Sequence, residues 1–259
     1  MAHAYGLPFL ITCKTLKIMK KNAIALLFVA LVAGMASKVQ AQNYQVLYDT
    51  GRECVTTTFE MFRADPFGST FCFVDVDFSP RASLAYTEIS RELCFWQDTK
   101  WNWLSVHVEF DGGFELEKPE WVTGYSYENC WLLGLTYSGH SEDFSKTWSF
   151  SAMYKGIPGA KGFDGKDDPH SFQLTGVWGI SFLNNWCSFS GFADFWRQVF
   201  VWQGTEYVFM TVPQLWVNLN NIKGWDNVHL SLGGEVEISN NFVKKGFIAQ
   251  PAFGAKWTF

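Results

Sequence analysis

From residue 43 to the end of the chain, apolar and polar side chains change places at every second position. Few structures fit that rhythm other than β-strands with two unlike faces. In 101–111, Leu104, Val106, Val108 and Phe110 fall on one side and Ser105, His107, Glu109 and Asp111 on the other. Segment 69–78 sets Cys72, Val74, Val76 and Phe78 against Asp75 and Asp77. Segment 227–239 sets Val228, Leu230, Leu232, Val236 and Ile238 against His229, Ser231, Glu235, Glu237 and Ser239. The C-terminal segment interleaves Phe247, Ala249, Pro251, Phe253, Ala255, Trp257 and Phe259 with Gln250, Lys256 and Thr258.

Twelve segments of this kind are expected, over 43–49, 53–64, 69–78, 83–96, 101–111, 129–138, 146–156, 171–182, 186–198, 205–219, 227–239 and 247–259. Each is near the ~9–11 residues a tilted transmembrane strand needs. Asp65-Pro66-Phe67-Gly68 and Leu183-Asn184-Asn185 read as tight turns. The longest connections, 112–128 and 157–170, are the fifth and seventh links, so they share one end of an up-and-down barrel, as outer loops do. Segment 83–96 is ambiguous. Tyr86, Ile89 and Leu93 have helical spacing, and Glu88, Arg91 and Glu92 do not sort onto one face. A short helix therefore competes with a strand carrying a bulge, and the even strand number of bacterial single-chain barrels favours the strand.

Composition decides what the two faces meet. Hydrophobic residues make up 48% and aromatic residues 18%, with 13 Trp and 25 Phe, yet mean hydropathy is only -0.02. The apolar residues are interleaved, which excludes a bundle of membrane helices with their runs of about 20 apolar residues. Disordered chains, poor in aromatics, are excluded as well. Even 171–193, which holds no Asp, Glu, Lys or Arg, alternates Gln173, Thr175, Ser181, Ser188 and Ser190 with apolar residues, and Asn184-Asn185 interrupts it. That spacing is a hairpin. A soluble sandwich turns a polar face to water, whereas here the aromatic-rich face is the one to be accommodated. In hydrocarbon every backbone group must be satisfied internally, so the expected fold is all-β: a transmembrane antiparallel up-and-down barrel of about twelve strands. Trp101, Trp148, Trp186 and Trp257 lie near segment ends, where interfacial girdles form.

The N-terminal region reads as an export signal. Lys20 and Lys21 precede the apolar stretch Ala23 to Ala33, and Val39-Gln40-Ala41 forms a small-x-small cleavage site before Gln42. The expected organisation is 1–18 as an upstream extension or misassigned start, 19–41 as signal peptide and 42–259 as barrel. Beyond Ala41 there remain 15 basic and 25 acidic residues, a charge of −10 that speaks against nucleic acid as a partner. Cys54, Cys72, Cys94, Cys130 and Cys187 are odd in number and widely spaced, which suits packing rather than a disulfide framework or a metal site.

Thr56-Thr57-Thr58-Phe59-Glu60-Met61-Phe62, Gly68-Ser69-Thr70-Phe71, Phe172-Gln173-Leu174-Thr175-Gly176-Val177-Trp178, Gly191-Phe192-Ala193-Asp194-Phe195-Trp196-Arg197 and Lys256-Trp257-Thr258-Phe259 resemble an uncharacterised family of Gram-negative outer-membrane proteins. That family is more distantly similar to the Tsx-type nucleoside-specific channels. The resemblance implies a twelve-stranded barrel with a narrow substrate channel in the outer membrane of a Gram-negative bacterium. Trp257 and the terminal Phe259 resemble the signal read by the barrel-assembly machinery.

About twelve strands leave a narrow lumen, between the filled interior of eight and the aqueous channel of sixteen. The polar register sends Phe71, Phe73, Asp75, Asp77, Trp103, His107, Glu109, Asp111, Lys155, Phe192, Asp194, Trp196, Gln214, Trp216, Asn218, Glu235 and Glu237 into it. Flat rings stack on a base or sugar, and carboxylates and amides take its hydroxyl and amino protons. The plain alternative is that rings fill the barrel while carboxylates pair with Lys155, Arg91 or Lys256. The expected function is passive diffusion of small polar solutes, nucleosides among the candidates, with lipid and solute as partners and with no cofactor, metal or catalytic residue. Two other classes compete. An outer-membrane hydrolase or acyltransferase would need a nucleophile beside a base, and the nearest pair, His140-Ser141, falls in a turn. A receptor or adhesive barrel would use 112–128 and 157–170, the latter read as a mobile surface loop.

Overall fold

The computed structural model describes residues 41–79, 82–118 and 123–259. The expected leader lies outside the described residues except for Ala41, which opens the first strand. The strands are β1 Ala41–Asp49, β2 Cys54–Asp65, β3 Gly68–Phe78, β4 Ala82–Leu93, β5 Leu104–Lys118, β6 Thr123–His140, β7 Lys146–Gly156, β8 His170–Phe182, β9 Cys187–Phe200, β10 Thr205–Thr211, β11 Gln214–Asn218, β12 Leu230–Asn240 and β13 Phe247–Thr258. Consecutive strands pair antiparallel, except that β10 and β11 each pair with β9 and β12 and not with one another, and β13 returns to β1 through Tyr44↔Trp257 and Tyr48↔Phe253. The ring is closed, so no edge strand remains.

The thirteen elements make twelve staves. Against β9, Thr211 answers to Ala193 and Gln214 to Ser190; against β12 the same residues answer to Ile238 and Glu235. Three steps along one strand match three steps back along both neighbours, so β10 and β11 are one strand that never leaves register. Pro213 breaks it formally because proline has no N–H for the ladder. Its carbonyl still accepts the Val236 N–H at 3.1 Å, and the Val212 N–H reaches the Phe192 carbonyl at 3.1 Å.

Segment 83–96 is a strand up to Leu93, paired along its length with β3 and β5. The irregularity in β4 sits at its start, where Phe78 pairs with Ala82 while Asp77 pairs with Leu84. Several boundaries depart from expectation. The connection 112–128 is largely strand, because β5 and β6 continue as a tall hairpin toward 119–122. Residues 101–103 form a turn and 227–229 precede β12 without belonging to a strand. The 157–169 link is stitched by its own backbone, with Ile157 N–H to Pro169 O at 2.8 Å and Asp168 N–H to Ala160 O at 2.8 Å.

The outer face carries the expected side chains. Val46, Val74, Ile89, Leu133, Leu135, Phe150, Leu232 and Phe253 are exposed on it. Trp101, Trp148, Trp186 and Trp257 all lie at the end of the barrel that holds both strand termini, Ala41 and Thr258 (the terminal end). Tyr48, Phe114, Trp131 and Tyr154 ring the opposite, loop end. Two glycines shape the inner wall. A Cβ on Gly254 would lie 1.9 Å from the Val46 carbonyl oxygen, and one on Gly233 2.0 Å from that of Leu215. These paired glycines let neighbouring backbones curl toward one another beside the fully buried Trp216 and Leu47.

Arginine at Val236, mid-strand on the outer face, is expected to cost ~2–4 kcal/mol and deplete the heat-modifiable folded band on electrophoresis. Leu230 and Val106 lie close to strand ends, where a long side chain reaches the interface. Arginine at Val177, on the inner face and 43% exposed, should leave the band unchanged. Equal loss on both faces would invert the assignment. Gly254→Val should deplete the same band, since backbone atoms and not a pliant side chain occupy the space its branches need.

Candidate functional site in the barrel lumen

The register settles which side chains turn inward. Across the wall, Glu60 pairs with Phe73, Phe73 with Glu88, Glu88 with Asp111 and Asp111 with Cys130. Further round, Gln173 pairs with Trp196 and Thr175 with Asp194, and on the far side Gln214 pairs with Glu235. Phe71, Phe73, Asp75, Asp77, His107, Glu109, Asp111, Lys155, Phe192, Asp194, Trp196, Gln214, Trp216, Asn218, Glu235 and Glu237 therefore all lie on the inner face, as the alternation predicts. Trp103 does not. It sits in the turn before β5, and its ring lies 5.5 Å from that of Tyr137, an exposed outer-face residue. Period two fails there because the chain is not yet extended, so Trp103 joins the aromatic girdle.

One wall is organised around His107. Its Nδ1 lies 2.6 Å from Glu92 Oε1 and its Nε2 3.2 Å from Glu109 Oε2. Glu92 also accepts the hydroxyls of Ser105 and Thr136, and Thr136 is 2.8 Å from Ser151. With a carboxylate within hydrogen-bond distance of each ring nitrogen, both nitrogens of His107 are engaged. Lys155 Nζ donates to Gln173 at 2.7 Å and lies 4.9 Å above the Trp196 ring. Asp194 takes the Thr175 hydroxyl at 2.6 Å.

The rest of the ring, from β11 round to β3, repeats the chemistry. Thr56 donates to Asp77 and Thr58 to Asp75, each at 2.6 Å. Asn43 donates to Glu60 at 2.6 Å and Gln214 to Glu235 at 2.8 Å. The Trp216 indole reaches Gln214 at 3.0 Å, and Lys256 Nζ sits 4.4 Å over that ring. At the loop end Arg52, in the turn between β1 and β2, bonds Asp49 at 2.7 Å and Asp77 at 2.9 Å. The anticipated pairing of lumenal carboxylates with Lys155, Arg91 or Lys256 is not what the described residues form. Both lysines lie over indoles, and Arg91 points outward to Asp65, at 2.7 and 2.8 Å.

The two mouths differ. Ser138, Thr147 and Val177 are exposed on the inner face toward the terminal end. At the loop end Ile157 is buried against Cys130, Leu132 and Met153, and Phe242 stands edge-on to Trp196 at 5.7 Å. Arg197 ties the long loop to the wall through Asp168 at 2.6 Å. That hydrogen bond holds the Asp168 carboxyl below the usual carboxylate range.

Tyr86, Glu88 and Glu92 on β4, together with Glu60, Asp49 and Arg52, were not anticipated as lumenal. Strict parity would have found Tyr86, Ser90 and Glu92 on one face with Glu88. Arg91, turned out to the rim, obscured it. His140 and Ser141 form no catalytic pair: His140 Nδ1 faces the Ser141 carbonyl at 2.8 Å, while the Ser141 hydroxyl donates to Asp143 at 2.6 Å. The five cysteines are free.

No curated protein is similar to this chain in sequence. Among solved structures, the NanC porin is similar in fold, with a TM-score of 0.53 and 7% identity over 83% of this chain and 98% of that one. The outer membrane protein Omp33 of Acinetobacter baumannii has a TM-score of 0.41 at 11% identity, over 85% of this chain and 97% of that one. LpxR from Salmonella typhimurium has a TM-score of 0.44 at 8% identity, over 85% and 100%. The first likeness shows that the ring of staves is an outer-membrane type of barrel. Residues 41–259, the whole of that ring, match the family described as a domain of unknown function, DUF5020, and the chain belongs to it.

Proposed function

We propose that the protein is a channel of the Gram-negative outer membrane, exported with removal of a leader near Ala41, through which small polar solutes diffuse passively. The observation that carries this reading is the inner face itself. It is lined around the ring by hydroxyls, amides and carboxylates, with rings set among them, inside an apolar exterior. A barrel that only anchors a surface loop has no use for so much buried hydrogen-bonding capacity, which is costly unless satisfied.

The rings suit flat solutes. Phe71, Phe73 and Tyr86 form a half-buried line with centroids 6.1 and 6.0 Å apart, whereas Trp196 and Trp216 on the other walls are buried and pack beneath lysines. A solute entering between Ser138, Thr147 and Val177 meets hydroxyls first and then the constriction of Lys155 over Trp196. Nucleosides, with an aromatic base and a polyhydroxylated sugar, have the matching chemistry and are the probe of choice. Acidic residues outnumber bases along the described lumen, which favours cations over anions. Catalysis finds little support, since His107 is held at both nitrogens and Ser105 is bonded to Glu92.

Reconstituted in planar bilayers, the mature protein should give small, discrete conductance steps that are cation-preferring and reduced by nucleosides. Trp196→Ala and Phe242→Ala should each raise the unit conductance by about twofold, by widening a lumen whose width the twelve staves limit. Asp194→Asn should weaken the cation preference. Absence of conductance, with turnover of a lipid or peptide substrate, would move the protein to the enzyme class. Deleting Phe259 should slow assembly into the membrane, scored by the heat-modifiable band, if the terminal aromatic is read by the assembly machinery.

A further inference from the structure

On the wall formed by β4 and β5, three carboxylates converge from two strands. Glu109 and Asp111 are two residues apart and so share a face, and Glu88 is the cross-strand partner of Asp111. One oxygen from each of Glu88, Glu109 and Asp111 lies within 4.8 Å of the other two. Their partners do not account for the cluster. Glu88 accepts the Tyr86 hydroxyl at 2.8 Å, Glu109 faces His107 Nε2 at 3.2 Å, and Asp111 Oδ2 faces the Cys130 thiol at 3.1 Å. Lys155, whose charge acts on Asp111, donates instead to Gln173 and lies over Trp196.

A separate observation marks the place. Asp111 is only 3% exposed, and its Oδ1 accepts no hydrogen bond. A buried carboxylate oxygen without a donor is among the costlier things a protein can hold, and such atoms call for an unseen partner. In the middle of other carboxylates that partner is a cation or a proton shared with a neighbouring carboxyl.

We propose that Glu88, Glu109 and Asp111 form a divalent-cation site on the lumen wall, and that its ion is calcium. The donor set is all oxygen and anionic, which suits a hard cation and not a thiophilic or imidazole-seeking one. Calcium takes about six to eight oxygen ligands in irregular arrangements, whereas magnesium is usually held by one or two carboxylates in a strict octahedron. Carboxylates from adjacent staves, two of them on one strand, give a partial shell that water completes, in keeping with calcium's tolerance of irregular geometry. The site requires only the barrel. It stands or falls independently of whether the lumen conducts.

The test uses the mature protein in detergent after removal of divalent ions. Terbium, a luminescent stand-in for calcium, should bind with emission sensitised through Tyr86, which is hydrogen-bonded to Glu88. Calcium should displace it, with a dissociation constant at or below about 10⁻³ M, and should raise the melting temperature. Asp111→Asn and Glu88→Gln should each weaken binding by at least tenfold and abolish the thermal shift, with folding checked by heat-modifiable migration. Glu235→Gln, on the far wall, should bind as the parent does. The proposal is overturned if the parent shows no saturable calcium effect. It is overturned equally if Asp111→Asn binds like the parent, which would place the ions elsewhere on an acidic chain. If a folded Asp111→Asn is more stable than the parent at every calcium concentration, the cluster is relieved by a shared proton and the site is refuted.

Discussion

Hydrocarbon offers no hydrogen bond to a peptide group, and the seam between β1 and β13 is where this chain meets that constraint. An open sheet of the same strands would present two unpaired edges to lipid, at a cost of several kcal/mol for each lost pair. Closing the ring fixes much else. It sets an even number of staves, brings Ala41 and Phe259 to the same end, and allows alternation to sort every side chain to lipid or lumen. It also explains why Pro213 is tolerated. Its neighbours hold β10 and β11 in one register on both sides, so the missing N–H removes one rung without opening an edge.

Closure moves the difficulty inside. Carboxylates facing a narrow lumen lose much of their water, and burying an ion pair there often costs more in desolvation than it returns. The described residues answer with neutral donors. Thr56, Thr58 and Thr175 each give a hydroxyl across the strand pair to an aspartate, and threonine is at home in a strand because its branched Cβ suits the pleated surface. Guanidinium ion pairs lie toward the rims, where water persists: Arg52 at one end, Arg91 at the other, and Arg197 where the long loop docks. The ammonium groups of Lys155 and Lys256 settle over indole faces, a partner that takes up positive charge without itself carrying a charge that must be desolvated.

This division shows why the sequence was legible in some places and not in others. Period two is a geometric property of an extended chain. It therefore located every stave and placed Asp75, Asp111, Asp194, Glu235 and their companions inside without any knowledge of partners. It failed where geometry changed. Trp103 was read as lumenal because a turn has no period, and 112–128 was read as a loop because its glycines and acidic residues hid a hairpin that continues past the others. Arg91 masked Glu88 and Glu92, since a charge on the outer face breaks the pattern unless its rim position is known. The partnerships were beyond reach altogether. That Lys155 faces Gln173 rather than a carboxylate depends on the register between β7 and β8, where a slip of one residue changes the face that meets it.

The lumen is asymmetric along its axis, and the asymmetry follows from link length. At the terminal end the links that border Ser138, Thr147 and Val177 are short turns, which have no side chains to spare for the mouth. At the loop end the link 157–169 is long enough to fold back on itself and insert Ile157, while the 241–246 link delivers Phe242 onto Trp196. Both caps are fastened to the wall: Gln203 donates to the Phe242 carbonyl at 3.0 Å and Arg197 grips Asp168. Because Arg197 lowers the Asp168 carboxyl, that fastening is complete above the ordinary carboxylate range and is lost only as pH falls through the depressed value. Near neutrality the ion pair of Arg197 and Asp168 is therefore fully charged and holds the 157–169 link against the wall.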